Sequence, residues 1–240
     1  MIEFVAETGS TNSDLLERLR AGTPPAEGLW RVADRQSAGR GRQGRPWSGG
    51  EGNFMGSTVV HRRPGDPPAP TLALLAGLAL HELAAPLVPS PGHLRLKWPN
   101  DVLYHRAKMA GILLEGMGQS VVIGIGVNLA RAPTLPDRET IAFSAFGPPP
   151  DRDLFAASLA QRFALELQRW RDHGIEPVLR RWQAAALPPG TALQVHDENA
   201  ETLAGRFAGL AADGALLLRM PDGATRTIHA GDVRLAEERT

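Results

Sequence analysis

The chain has 240 residues, 42% of them hydrophobic and 22% charged, with 26 basic and 26 acidic side chains and a formal net charge of zero. That is enough for one full-sized domain and a small second one, and the balanced charge excludes a general electrostatic sponge for DNA or anionic lipid. There is no cysteine, which excludes disulfides, thiolate catalysis, cysteine-held zinc and thioester carriage on the protein, and agrees with a cytoplasmic setting.

The first residues, Met1 to Glu7, lack a basic stretch followed by an apolar one, so no secretory signal is expected. Ser10-Thr11-Asn12-Ser13 offers N-caps to a helix through Asp14 to Leu19, which Gly22 stops. Leu29 to Ala33 reads as a buried strand, residues 35–52 as a long Gly/Arg loop, and Asn53 to Val60 as another strand. A Pro-rich loop, His61 to Pro70, leads to an apolar helix over Thr71 to Leu83. The apolar stretch from Leu72 to Leu87 is interrupted by His81, Glu82 and Pro86, too short and too polar to span a membrane. Leu94 to Trp98 and Asp101 to Tyr104 predict strands around a tight Pro-Asn turn. Met109 to Glu115 and Ser120 to Leu129 predict neighbouring strands of one sheet. After a Pro-containing connection, Asp153 to Trp170 and Glu176 to Ala186 predict amphipathic helices. Pro188-Pro189-Gly190 marks a boundary. Beyond it, short strands separated by Asp-Glu-Asn, Ala-Asp-Gly and Pro-Asp-Gly turns predict a small β-barrel. The expected domains are therefore residues 1–187 and 188–240.

Two features point to chemistry. Lysine occurs twice, at Lys97 and Lys108, and arginine elsewhere serves wherever a plain positive charge is wanted. An ammonium is a compact point charge, unlike the planar guanidinium fork, so its retention at two nearby positions suggests a specific task. The second feature is the loop around Gly39-Arg40-Gly41-Arg42-Gln43-Gly44-Arg45, with Trp47 just beyond it. Its glycines let backbone N–H groups approach an anion, and its arginines match carboxylate or phosphate oxygens. A small anionic ligand is favoured over an RNA-binding tract, because the segment is single and lies between two strands.

Other positions are weaker when taken alone. Asn100-Asp101 is either a plain Asx turn or a magnesium-binding pair, with Asp101 as the metal ligand. Ala110-Gly111 leaves room for a flat ligand. In Gly124-Ile125-Gly126-Val127-Asn128 the alternate glycines clear one strand face, and Asn128 adds a polar end.

In combination, Gly39 to Arg45, Lys97-Trp98-Pro99-Asn100-Asp101, Lys108-Met109-Ala110-Gly111-Ile112-Leu113-Leu114-Glu115 and Gly124 to Asn128 resemble the bacterial biotin protein ligases in order and spacing. Ser10-Thr11-Asn12 is similar to the upstream biotin-pocket motif of that family. The resemblance implies an α/β fold: a mixed β-sheet flanked by helices, as in the biotin–lipoate ligase catalytic domain and class II synthetases, plus an SH3-like β-barrel. It implies a reaction in which biotin and Mg-ATP form biotinyl-5′-AMP and the acyl group passes to a lysine of a biotin carboxyl carrier domain. An acyl-CoA carboxylase is the default source of that carrier.

By the same resemblance, Lys108 and Arg42 are the expected catalytic pair. Ser10, Thr11, Asn12, Gln36, Arg40, Gly41, Arg42, Lys108 and Gly111 are the expected biotin contacts. Arg40, Arg42, Arg45, Trp47, Lys97, Asn100, Asp101, Lys108 and Asn128 are the expected contacts of ATP or the adenylate. Residues 36–47 would close over the ligands. No operator binding is expected, since the ligase-like motifs begin almost at residue 1, and the chain is expected to be a monomer or a weak homodimer. The rival readings are a lipoate ligase of the same fold and a biotin sensor without catalysis.

Overall fold

The computed structural model describes residues 1–197 and 201–236; part of the expected Asp-Glu-Asn turn lies outside the described residues. The element order is β1 (Ile2–Thr8), α1 (Thr11–Arg20), β2 (Trp30–Gln36), β3 (Phe54–His61), α2 (Thr71–Ala84), β4 (Leu94–Lys97), β5 (Asp101–Tyr104), β6 (Ala107–Met117), β7 (Ser120–Val127), α3 (Arg152–His173) and α4 (Glu176–Ala185). Then follow β8 (Ala192–Asp197), β9 (Thr202–Leu210), β10 (Leu216–Arg219), β11 (Thr225–Ile228) and β12 (Gly231–Leu235). The predicted helices and strands are all present within a few residues. The structure adds β1, a parallel partner of β2 at one edge of the main sheet, to which the sequence assigns no element. Its residues are mostly half-exposed or exposed, so it lacks the apolar run that marks a buried strand.

The main sheet has seven strands in the order β1-β2-β3-β7-β6-β5-β4, and all its neighbours except β1 and β2 are antiparallel. Its two faces do different work. Ile123, Ile125 and Val127 of β7 point into the core with α2 and α3, where Trp30 lies between Phe54 and Phe163 at ring-centroid distances of 6.2 and 5.7 Å. On the opposite face, Val59 and Val122 pack under Leu15 and Leu16 of α1. Helix α1 covers only one end of that face; Gly124 and Gly126 continue it without side chains.

Helix α3 starts at Asp151, whose carboxylate accepts from the N–H groups of Asp153 and Leu154 at 2.9 Å each. Its buried residues, Phe155, Leu159, Phe163, Leu167 and Trp170, recur at helical spacing.

The second sheet runs β11-β10-β9-β8-β12, all antiparallel. Its edge strands β11 and β12 are joined by only His229 and Ala230. Flat, four inter-strand steps would separate them by about 19 Å, whereas the linking peptide units reach at most about 11 Å. The sheet must therefore coil on itself as a barrel does. It packs on the larger unit through Trp98, which donates to the Gly214 carbonyl at 3.0 Å, and through Gln183, which accepts from the Leu210 N–H at 3.0 Å. Among the described residues no helix is long and apolar enough to cross a membrane.

Candidate functional site

The site forms where the pairing register lays small and charged residues side by side. Met55, Gly126, Gly111, Asp101 and Lys97 are successive partners across β3, β7, β6, β5 and β4. The next row carries Ser57, Gly124 and Leu113. A Cβ at Gly126 would lie 2.3 Å from the Trp47 ring, and one at Gly124 would lie 2.4 Å from Asn12 Oδ1. The bare strand thus lets an indole and a carboxamide rest on the sheet.

Lys108 and Gly111 are three apart, so in a regular strand they would face opposite ways. A register shift where β6 pairs with β5 re-aims the Lys108 side chain onto the face of Asp101. There Lys108 Nζ lies 2.5 Å from Asp101 Oδ1, and Lys97 Nζ lies 2.7 Å from Oδ2. Both lysines of the chain therefore clasp one carboxylate. Burial by itself would raise the Asp101 carboxyl, but the charges and hydrogen bonds of Lys108 and Lys97 outweigh it and hold the group well below the usual carboxylate range. Because that value lies below its unfolded counterpart, about 3.9, the clasp contributes stability that is complete above that pH and lost as pH falls through the folded value. Urea midpoints measured at pH 6 and pH 3 should therefore fall further in the parent than in Asp101→Asn.

The cavity above this floor has a volume of about 260 Å³. Ser10, Thr11, Asn12, Gln36, Arg40, Gly41, Arg42, Arg45, Trp47, Asn100, Asp101, Lys108, Gly111 and Asn128 all line it, so the structure brings together every expected site residue but one. The exception is Lys97, which lies behind Asp101 and donates to the Val233 carbonyl at 2.6 Å. Its charge is spent on Asp101 and on the C-terminal sheet, away from the lining that the other expected nucleotide contacts share. Asp101, the expected metal ligand, does line the cavity. Each of its oxygens already holds an ammonium, and among the described residues no cluster of three His, Cys, Asp or Glu side chains could hold a metal.

One end of the cavity is a closed polar network. Gln36 Oε1 accepts from the Thr11 N–H at 2.8 Å, the Thr11 and Ser57 hydroxyls are 2.7 Å apart, and Ser57 donates to Asn12 Oδ1 at 2.5 Å. Asn12 in turn donates to Glu115 at 2.8 Å, and Glu115 pairs with Arg40 at 2.9 Å. At the other end the Asn128 Nδ2 donates to the Ile141 carbonyl at 3.2 Å, while its Oδ1, like Trp47 Nε1, is buried without a hydrogen-bond partner among the described residues.

The Gly/Arg loop folds back on itself. The Gly41 N–H donates to the Arg45 carbonyl at 2.7 Å and the Trp47 N–H to the Gly39 carbonyl at 2.9 Å, with Gln43 in the left-handed region at φ 57°. The C-terminal sheet holds it down: Arg42 donates to the Gly231 carbonyl at 2.9 Å and Arg45 pairs with Asp232 at 2.8 Å. Burial would raise Asp232, but Arg45 outweighs it and holds the carboxyl below its usual range. Burial lowers Arg42, against the opposing pull of Asp232 and Asp101; a guanidinium nonetheless remains charged. In Asp232→Asn the loss of this half-exposed pair is worth up to ~1 kcal/mol, so cleavage of the ligand-free protein by trypsin after Arg42 should quicken by up to about fivefold; peptide mass spectrometry reads that cut, Arg45 being shielded by Pro46.

Sequence reasoning missed Ser57, Glu115, Arg138 and Asp232. Glu115 had a signal, since Gly111, Leu113 and Glu115 alternate onto one face of β6. Asp232 had none, because nothing local brings β12 to the loop.

Residues 4–128 match the biotin/lipoate A/B protein ligase family and residues 194–235 match the biotin protein ligase C-terminal domain. The chain belongs to the biotin/lipoate A/B protein ligase family. Among curated relatives it is 37% identical over 231 residues to a biotin–[acetyl-CoA-carboxylase] ligase of Paracoccus denitrificans, covering 92% of this chain and 95% of that one. It is 34% identical over 238 residues to the ligase of the same name from Mycobacterium tuberculosis, covering 97% of this chain and 88% of that one. Among solved structures, the biotin protein ligase of Aquifex aeolicus in complex with biotin and ATP superposes with a TM-score of 0.86 at 24% identity, covering 98% of this chain and 99% of that one, which establishes likeness of fold.

Proposed function

We propose that the protein is an ATP-dependent biotin protein ligase that forms biotinyl-5′-AMP and transfers biotin to a lysine of a carrier domain. The relatives' shared name over nearly the whole chain supports the assignment. The observation that carries the chemistry is a cavity lined by five cations, Arg40, Arg42, Arg45, Lys108 and Arg138, against three carboxylates. Joining a carboxylate to a phosphate brings two anions together, and such a cavity offsets their repulsion.

In the proposed first step a biotin carboxylate oxygen attacks the α-phosphorus, the bond to the β-phosphate oxygen breaks, and pyrophosphate leaves. Lys108 and Arg42 stabilise the charge that builds on phosphorus. In the second, the acceptor lysine amine attacks the acyl carbon; the amide forms, AMP leaves and the amine proton is lost. The polar end, with Thr11, Asn12, Gln36 and Ser57, suits the ureido group, and the Asn128 end suits the nucleoside. About 260 Å³ is small for both substrates, so admitting ATP would require Trp47 to lift from its glycine floor. Closing again, loop 39–47 would exclude water from a hydrolysable anhydride.

Residues 1–187 and 188–240 serve in this reading as catalytic and C-terminal domains, and Mg²⁺ enters with ATP. The carrier is that of a biotin-dependent carboxylase, the acyl-CoA type being the first to test, and the reaction takes place in the cytoplasm, where ATP is supplied. The zero net charge supports a protein that does not bind DNA, and the free edge at β1 is where a weak homodimer would pair. Incubation with Mg-ATP, biotin and an acetyl-CoA carboxylase carrier domain should add one biotin mass to the carrier. No mass gain on a folded carrier, or a gain that persists when its acceptor lysine is replaced by arginine, would contradict the assignment.

A further inference from the structure

Lys108 poses a chemical problem for the reaction proposed above. It is a primary amine beside a mixed anhydride, and primary amines are what that anhydride acylates. A neutral Lys108 would attack the acyl carbon: a C–N bond forms, the acyl C–O bond breaks, AMP leaves with the electron pair, and the surplus proton on nitrogen goes to water. The enzyme would then end as a dead amide.

The site contains an answer. Lys108 Nζ lies 2.5 Å from Asp101 Oδ1, and the Trp47 ring centroid is 5.7 Å from it on another side. A carboxylate and a π face both attract and hold an ammonium, which has no lone pair to donate. Asp101 cannot turn away, because Lys97 holds its other oxygen at 2.7 Å and is itself tied to the Val233 carbonyl at 2.6 Å. Asp101 is only 6% exposed, so water does not replace either partner.

We propose that Asp101, braced by Lys97, is a positioning residue that keeps Lys108 from capturing the acyl group of the adenylate formed beside it. The clasp thus separates two roles of an amine, leaving Lys108 as charge and the carrier lysine as nucleophile. This rests on the ligase reading above.

The scarcity of lysine makes the test direct, since lysine acylation of this chain can be read only at Lys97 and Lys108. Parent, Asp101→Asn, Asp101→Glu and Asp101→Asn/Lys108→Arg proteins are given preformed biotinyl-5′-AMP, which bypasses any loss of adenylation, and digested for peptide mass spectrometry. Asp101→Asn should carry at least about tenfold more biotin amide on Lys108 than the parent, a change of ~1.4 kcal/mol in barrier. Asp101→Glu should suppress it again, and the double variant should lose it. A folded Asp101→Asn without label on Lys108 overturns the proposal.

Should that variant fail to fold, the parent alone decides. With an acetyl N-hydroxysuccinimide ester, Lys108 should react at least about tenfold more slowly in the folded protein than in urea, and equal rates overturn the proposal. A parent that releases no pyrophosphate from Mg-ATP and biotin would instead refute the ligase reading, an outcome separate from either of these.

Discussion

Replacing Lys108 by alanine is expected to lower kcat/KM for biotin-dependent pyrophosphate release by about 10²–10³-fold, the usual loss when a group aimed at developing charge is removed. The fold should survive with a lowered urea midpoint, because Asp101 loses one ammonium but keeps Lys97 at 2.7 Å, so the loss of activity is read on protein shown to be folded. Lys108→Arg is expected to lose most of the activity as well. The ammonium sits between the Asp101 carboxylate and the Trp47 ring, and a Cβ placed on Gly111 would already lie 3.0 Å from Nζ. A planar fork needs more room than that, and its charge is spread over three nitrogens. Near-parental pyrophosphate release from Lys108→Arg would show that charge alone is required there.

The second large effect is expected at Gly124. Its Cβ would lie 2.4 Å from Asn12 Oδ1, the atom that accepts from Ser57 at 2.5 Å. Neither side can give way cheaply: β7 is paired on both edges, and Asn12 is buried in the first turn of α1 and tied to Glu115. Overpacking of this kind costs about 1–3 kcal/mol. Most of it should fall on the polar end of the cavity, so biotin affinity measured by calorimetry should drop roughly 5- to 150-fold in Gly124→Ala. Gly116→Ala is the control, since nothing lies within 4 Å of a Cβ there, and its affinity should not change.

These residues also show which parts of the site a sequence can convey. The bare face of β7 was legible because alternation along a strand is a local property; Gly124 and Gly126 needed no knowledge of their partners. The neighbouring pairing of β6 and β7 followed from two adjacent apolar runs. The scarcity of lysine singled out Lys97 and Lys108, yet it could not show that one faces the cavity and the other lies behind. That division depends on a register shift between β5 and β6 and on Val233 arriving from the C-terminal sheet, 136 residues from Lys97. For the same reason Asp101 read as a turn residue or a metal ligand, with nothing local to show that both ammonium groups meet on it. Asp232, which holds Arg45, belongs to the same class of long-range contact. Strand β1 escaped notice for a different reason: an edge strand with exposed Glu7 and half-exposed Ile2 and Glu3 has little apolar pattern to read.

The central claim is that this cavity activates biotin with ATP. Its most direct test is pyrophosphate release by the purified protein with Mg-ATP and either biotin or lipoate, in the presence of the carrier. The account predicts release with biotin and little or none with lipoate. Release with lipoate alone would keep the adenylation chemistry and overturn the substrate; silence with both acids, in protein shown to be folded, would contradict the account.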